Sequence, residues 1–314
     1  MPRKIIIDTD PGVDDTMAIF FALCSPELEV IGLTTIFGNV HTELATKNAL
    51  RLLEIAGRTD IPVAPGADNP LTGPFEGPVP FVHGSDGQGD IFLPDPAGAP
   101  ADISAAQFIV EQLRAHPGEV TLAPVGPLTN IALALRLEPR ITEWVDQLVL
   151  MGGNALAPGN ASPAGEANIR NDPEAADVVF GADWQVTMVG LDVTLRVHMR
   201  PEHIDEYAAH GNPMSDHISR ILPHYRNYFE ANYDAEGIFV HDSSAIAYLI
   251  DPALFQVRRW AIRVGRQGLG RGKTWPATGG QTLPAWEGRP LVNVCVGVDG
   301  ERVVALAAER LRRA

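Results

Sequence analysis

Short runs of β-branched and aliphatic residues recur along the chain at Lys4 to Ile7, Leu28 to Phe37, Glu119 to Val125, Gln147 to Met151, Val186 to Leu191, Val257 to Val264 and Leu291 to Val298, and each reads as a strand. Between most of them the apolar positions take helical spacing, as in Thr42 to Ala56, Ile103 to Ala115 and Leu128 to Leu137. Ser104 followed by Gln107 forms a capping-box pattern, and Pro127 suits a first helical position. Strands alternating with helices predict an α/β fold: an open, mostly parallel sheet with helices on both faces.

Two stretches break the rhythm. Pro62 to Pro100 is rich in Gly and Pro around Phe81-Val-His-Gly-Ser-Asp-Gly-Gln-Gly-Asp90, and it is too long for a simple connection, so a functional loop is expected. The second runs from Gly152 to Asn171. Residues 201–251 then read as largely helical, with Tyr225, Tyr228, Phe229 and Tyr233 among them, and are expected to form a small cap over the sheet. No segment has the composition of a flexible linker, so residues 1–314 are expected to form a single domain that includes this cap.

Composition narrows the function. The 314 residues are 45% apolar and 20% charged, as in ordinary folded proteins. Lys plus Arg number 24 and Asp plus Glu 39, and the resulting charge of −15 repels nucleic-acid backbones and anionic membranes while suiting a neutral or cationic ligand or a metal ion. Cys24 and Cys295 stand far apart in no metal-binding pair and read as buried free thiols. Ile5-Ile6-Ile7 is interrupted by Asp8 before a leader's apolar stretch can develop, and no apolar run approaches membrane-span length, so a soluble cytoplasmic protein is expected.

Polar residues gather where the strands end. Strand one runs into Asp8-Thr-Asp-Pro-Gly-Val-Asp-Asp15, and later strands run into Phe37-Gly-Asn39, Val125-Gly-Pro127, Met151-Gly-Gly-Asn154 and Asp192-Val-Thr194. In an open parallel sheet ligands bind beyond those ends. Asp8, Asp10, Asp14 and Asp15 would repel one another unless a cation held them, and a hard divalent ion takes carboxylate and carbonyl oxygens. The plainer alternative is that Asp14 and Asp15 favour a helix N-terminus while Asp8 caps the turn. Asp242 after His241 could be a cap or a ligand. Asn160, Glu166, Asn168 and Asp172 suit either vicinal hydroxyls or ordinary turns, and His83 taken alone is an unremarkable histidine. Motifs of P-loop hydrolysis, dinucleotide binding, α/β-hydrolase acylation and zincin proteolysis are absent from the sequence.

Asp8-Thr-Asp-Pro-Gly-Val-Asp-Asp15 resembles the signature of the inosine-uridine preferring nucleoside hydrolases. So, in order and spacing, do Phe37-Gly-Asn39, Val82-His-Gly84, Gly126-Pro-Leu-Thr-Asn-Ile131, Met151-Gly-Gly153, Glu166-Ala-Asn168 with Asp172-Pro-Glu-Ala-Ala176, Leu191-Asp-Val-Thr194 and Val240-His-Asp242. The resemblance covers nearly the whole chain. It implies Ca2+-dependent hydrolysis of the N-glycosidic bond of ribonucleosides, by a cation-activated water and through an oxocarbenium-like transition state. Asp10, Asp15 and Asp242, with the Val125 carbonyl, would hold the ion, and Asp10 would also take the water's proton. Asp14, Asn39, Asn160, Glu166 and Asn168, with Met151, would bind the ribose side of the substrate. His83 and His241 would flank the base, with His241 its proton donor, and the aromatics from Tyr225 to Tyr233 would shape the base pocket. A homodimer or homotetramer is implied, and the base preference is read as broad or tilted towards pyrimidines. Gln88 stands where the family leads one to expect an apolar residue, and Ile169-Arg170-Asn171 is not the usual filling before Asp172.

Two other readings use the same residues. Asp8-Thr-Asp10 after a strand also fits the opening of haloacid-dehalogenase-type phosphatases, although Pro11-Gly12 replaces the expected Gly-Thr pair. A ribonucleoside-binding protein without turnover would keep the pocket, but it would need neither Asp10 as base nor His241 as acid.

Overall fold

Ile5, Ile6 and Ile7 are all buried in the computed structural model, which describes residues 1–233, 235–279 and 283–313. Successive side chains of a strand point to opposite faces, so an unbroken apolar run requires both faces of the sheet to be covered. Ile5 and Ile7 pack into one apolar layer with Met17, Phe20 and Phe21, whereas Ile6 packs into the other with Phe108, Ile109 and Leu113.

The described strands are β1 (Arg3–Thr9), β2 (Leu28–Thr35), β3 (Val63–Pro65), β4 (Val120–Pro124), β5 (Gln147–Met151), β6 (Val186–Val189), β7 (His198–Met199), β8 (Ile238–Phe239), β9 (Phe255–Val264), β10 (Thr274–Pro276) and β11 (Leu291–Val298). Apart from the small β7-β8 pair they form one sheet, ordered β10-β9-β11-β6-β5-β4-β1-β2-β3. Strands β3 to β11 in that order pair in parallel, and β9 lies antiparallel to both β11 and β10. The sheet is therefore mostly parallel, as its pattern predicts. From β1 the chain builds outward through β2 and β3, then returns to add β4, β5 and β6 on the other side. That reversal between β1 and β4 opens a crevice beyond their carboxyl ends, where Asp10 and Val125 follow.

Several boundaries differ from the sequence pattern for local reasons. The expected loop of residues 62–100 contains the edge strand β3 and a helical turn at Pro80–His83, both too short to leave a periodic signal. Pro127 is not the first helical residue: the helix Thr129–Leu137 starts two positions later, with the Leu128 carbonyl accepting its first bond from Ala132. β2 stops at Thr35 and β6 at Val189, so the apolar residues after each belong to the turns that build the crevice. The Ser104 cap forms as its spacing implies, accepting from the Gln107 N–H while Gln107 accepts in return. Cys295 is buried, but Cys24 is only partly so; burial raises their thiol pKa values to about 12 and about 11.

Helices Pro201–Ala208 and Pro213–Asn232 lie between β7 and β8 in sequence. The longer one packs against helix Val13–Leu23 and the Pro80–His83 turn, which places its aromatic residues over the crevice. Among the described residues no helix is long and apolar enough to cross a membrane.

Candidate active site

β1 ends by delivering Asp10 to the crevice, and the Pro11-Gly12 turn feeds helix Val13–Leu23, whose first turn carries Asp14 and Asp15. Gly12 is needed for clearance, because a Cβ there would lie 2.6 Å from His83 Nδ1 and 2.8 Å from Asn39 Nδ2. Gly126, just after β4, likewise makes room for the Asp10 carboxylate. Asp242 opens helix Asp242–Ile250 and brings in a carboxylate from the far end of the chain. Oxygens of Asp14, Asp15 and Asp242 lie within 4.8 Å of one another.

The four neighbouring aspartates are held differently. Asp15 is held by four donors: its Oδ1 accepts from Thr9 Oγ1 at 2.5 Å and the Asp10 N–H at 3.2 Å, and its Oδ2 accepts from the Gly12 N–H at 3.1 Å and Asn39 Nδ2 at 2.9 Å. Asp10 Oδ2 accepts from the Asn39 N–H at 2.6 Å, but its Oδ1 is buried with no donor, as is Asp14 Oδ1. Burial, then mutual repulsion, drives the Asp10 and Asp242 carboxyls well above the usual carboxylate range. Burial also raises Asp14 and Asp15 to about 6, against the Tyr225 phenol at Asp14 and the Thr9 hydroxyl at Asp15. Crowded hard oxygens, two of them without donors among the described residues, fit a divalent cation, and no described Lys or Arg lines the cleft to replace one.

Above this floor lies a cleft with a cavity volume of about 130 Å³. Asp14, Asn39, Val125, Met151, Asn168 and Asp242 line its base, and Asp10 and Asp15 sit buried beneath them. Glu166 caps the short helix Ala167–Asn171, accepting from the N–H groups of Asn168 at 2.9 Å and Ile169 at 3.0 Å, and it also takes the Gly153 N–H at 2.8 Å. It is both a helix cap and a cleft residue. Asn168 Nδ2 donates to the Val125 carbonyl at 2.7 Å and to that of Met151 at 3.2 Å, tying the ends of β4 and β5 together. Asn160 is exposed at the rim, its Oδ1 accepting from the Ala167 N–H at 3.0 Å.

The opposite wall is aromatic. Phe229 is its hub, with ring centroids 4.8 Å from Tyr225, 5.3 Å from Tyr228, 5.3 Å from Tyr233 and 5.9 Å from His241. His83 accepts from the Val13 N–H at Nδ1, 3.2 Å away, and so lies against the acidic turn. His241 Nδ1 meets Thr194 Oγ1 at 2.8 Å. Burial lowers both imidazoles to about 4, so both rings are neutral at pH 7.

Comparison with known proteins agrees with this geometry. The family model described as inosine-uridine preferring nucleoside hydrolase matches residues 5–305. The chain belongs to this family. It is 45% identical over 313 residues to probable uridine nucleosidase 2 of Arabidopsis thaliana, covering 98% of this chain and 97% of the relative. Among solved structures, the plant nucleoside hydrolase PpNRh1 superposes with a TM-score of 0.96 at 40% identity, covering 99% of each chain. The purine-preferring ribonucleoside hydrolase from Gardnerella vaginalis superposes with a TM-score of 0.92 at 33% identity, covering 99% of this chain and 98% of that one.

Within this nucleoside hydrolase, some polar residues serve other ends than their pattern implied. Asp8 does not cap the turn: it points into the sheet, where its Oδ1 accepts from Thr34 Oγ1 at 2.6 Å and Asn130 Nδ2 at 2.8 Å, and burial raises it to about 7. Asp172 lies away from the cleft, capping helix Pro173–Val179 and accepting from the Leu71 N–H and Thr129 Oγ1, both at 2.7 Å. Gln88, where an apolar residue is expected, is buried: its Oε1 lies 2.8 Å from His217 Nε2, while its Nε2 donates to Thr16 Oγ1 at 3.0 Å and to the Pro11 and Gly12 carbonyls at 3.3 Å. It fastens the loop of His83 and the helix of Tyr225 to the acidic turn. Thr9 and Thr194 were not singled out by themselves, although both lie in strand-end motifs.

Proposed function

We propose that this nucleoside hydrolase cleaves the N-glycosidic bond of ribonucleosides with water in a Ca2+-dependent reaction, with uridine among its preferred substrates. The observation that carries the reading is the meeting of Asp14, Asp15 and Asp242, with Asp10 buried beside them, on the floor of a cleft whose wall is aromatic and whose two histidines are neutral. Asp10, Asp15, Asp242 and the Val125 carbonyl would hold the cation. When bound, it supplies Lewis acidity and positive charge that make water a stronger acid.

The residues divide the remaining work. The Asp10 oxygen without a donor is free to accept the attacking water's proton. Asp14, Asn39, Asn160, Glu166 and Asn168 supply oxygens and amides for the sugar hydroxyls, and their negative potential stabilises positive charge as it develops on the ribose. The aromatic wall takes the base by stacking. His241, its Nδ1 occupied by Thr194, presents Nε2 as the hydrogen-bonding group for the departing base. The uridine nucleosidase relative from Arabidopsis thaliana, at 45% identity, supports the pyrimidine side of the preference over the purine-preferring structure at 33%.

The test is ribose release from uridine, cytidine, inosine, adenosine and guanosine, before and after Ca2+ removal. Calcium-dependent release, fastest from uridine, is the expected result. Phosphate release from a phosphoester instead would favour the phosphatase reading, and tight uridine binding without turnover would favour the binding protein.

A further inference from the structure

Lys273 is buried, yet it takes no part in the chemistry above. Its Nζ donates to the Asn154 carbonyl at 2.7 Å and to that of Ala157 at 3.1 Å, across more than a hundred residues of sequence. Next to it, Thr274 Oγ1 accepts from the Asn154 N–H at 2.8 Å. From another direction the Asp192 carboxylate accepts from the N–H groups of Ala155 at 2.7 Å, Leu156 at 2.7 Å and Ala157 at 2.9 Å. One cation thus holds carbonyls of a four-residue segment and one anion holds its amides. Hydrogen bonds to charged groups are about twice as strong as neutral ones. The clamped segment begins the loop that carries Asn160 to the rim and returns at Glu166, and Glu166 closes its base through the Gly153 N–H at 2.8 Å. Gly165 lacks the Cβ that would meet the Arg271 carbonyl 2.5 Å away, so the turn leading to Lys273 and the returning loop lie side by side.

We infer that Lys273, working with Asp192, is a positioning residue for nucleoside hydrolysis: it fixes the loop of residues 154–165 so that Asn160 meets the substrate's ribose. This rests on the proposed function. The geometry assigns a purpose to the antiparallel extension β9-β10, which otherwise lies outside the parallel sheet. Since the loop faces the sugar, the effect is independent of the base.

The test compares wild type with Lys273→Met, Lys273→Arg, Asn160→Ala and the Met/Ala double variant. Lys273→Met should raise KM about 10-fold, equally for uridine and inosine, with kcat changed less than about 3-fold, and Lys273→Arg should restore most of the loss. In the Asn160→Ala background the Met substitution should cost less than about 2-fold, because its route to the substrate is already cut. Hydrogen exchange at the amides of 155–157 should quicken about 10-fold in Lys273→Met while exchange in β1 and β4 stays unchanged. Additive losses with Asn160→Ala, a changed ratio of uridine to inosine, or unchanged exchange at 155–157 would each overturn the inference. A wild type without ribose release would overturn the hydrolase reading, while the exchange experiment would still decide the clamp.

Discussion

Removing the cation is the most direct perturbation of the acidic floor, and its effect on melting follows from the carboxylates. A ligand that binds only the folded state stabilises it by about 4 kcal/mol at a thousandfold excess over Kd. For 314 residues, an unfolding entropy of about 2.1 cal/mol/K per residue amounts to roughly 0.7 kcal/mol/K, so the expected shift in Tm is about 6 °C. The sign of its pH dependence is fixed by the raised carboxyls. Asp14 and Asp15, at about 6, and Asp10 and Asp242, also raised by burial and repulsion, keep protons in the folded, cation-free protein that the unfolded chain has already lost. Between about pH 4 and pH 7, rising pH therefore weakens the cation-free fold. The cation needs ionised carboxylates, so its stabilisation should grow over that same window and shrink as protons compete with it in acid.

His83, His217 and His241 work in the opposite direction. Burial holds each at about 4, so each contributes stability that is lost as pH falls from about 6.5 to 4. Their contribution is largely common to both forms, and the difference between two melting curves removes it. The assay is differential scanning fluorimetry from pH 5 to 8 in excess Ca2+ and in chelator. A difference that rises with pH to about 6 °C is expected; coincident curves, or a difference that grows towards acid, would refute the electrostatic account of the site.

Three substitutions test separate parts of the machinery. Asp10→Asn should lower kcat by about 10² to 10⁴-fold, as expected for removal of a general base, without lowering Tm in chelator, because burial and repulsion already favour the uncharged carboxyl there and its Oδ1 has no donor to lose; near-normal turnover would remove Asp10 from its role. His241→Ala should slow uridine cleavage by at least about 10²-fold but affect p-nitrophenyl riboside far less, since that leaving group departs without a proton, and equal losses would end its assignment as the hydrogen-bonding group for the departing base. Gln88→Leu strands His217 Nε2 and leaves the Pro11 and Gly12 carbonyls without its amide, a loss of about 1 to 3 kcal/mol that calorimetry should register as a Tm lower by roughly 2 to 4 °C.

The parts of this site that were legible in the sequence are those encoded within a few residues. Asp8 to Asp15 announces itself because the turn between β1 and its helix is short, and every residue in it has a backbone-determined position. The parallel sheet was equally plain from strands such as Ile5-Ile6-Ile7, which need cover on both faces. Gln88 and His217 were opaque: they meet at 2.8 Å although 129 positions separate them, and neither a lone Gln in a Gly-rich loop nor a lone His on a helix predicts such a contact. Lys273 was silent for the same reason. Asp172 was legible only as far as its two alternatives, and the turn reading is the one that holds: its neighbours Glu166 and Asn168 face the cleft while the start of a new helix turns Asp172 towards Leu71 and Thr129. The sequence neighbourhood was right, and the direction of one side chain was not available from it.

The chemistry also explains why so unfavourable a cluster is built at all. An oxocarbenium-like transition state is stabilised by negative charge fixed in place before the reaction, and a buried site makes that charge more effective than it would be in water. Alone, Asp10, Asp14, Asp15 and Asp242 could not supply it at neutral pH, since burial and repulsion would keep several of them protonated. One divalent cation would lower all four pKa values together, and four carboxylates against its charge would leave about two negative charges at the site. The neutral histidines would complete the division: with His83 and His241 uncharged, positive charge developing on the ribose would meet no cationic side chain among the described residues that line the cleft. Cation binding and catalytic field would then be one protonation equilibrium, and so the acid limb of the activity profile should follow the same pH window as the calcium-dependent gain in Tm.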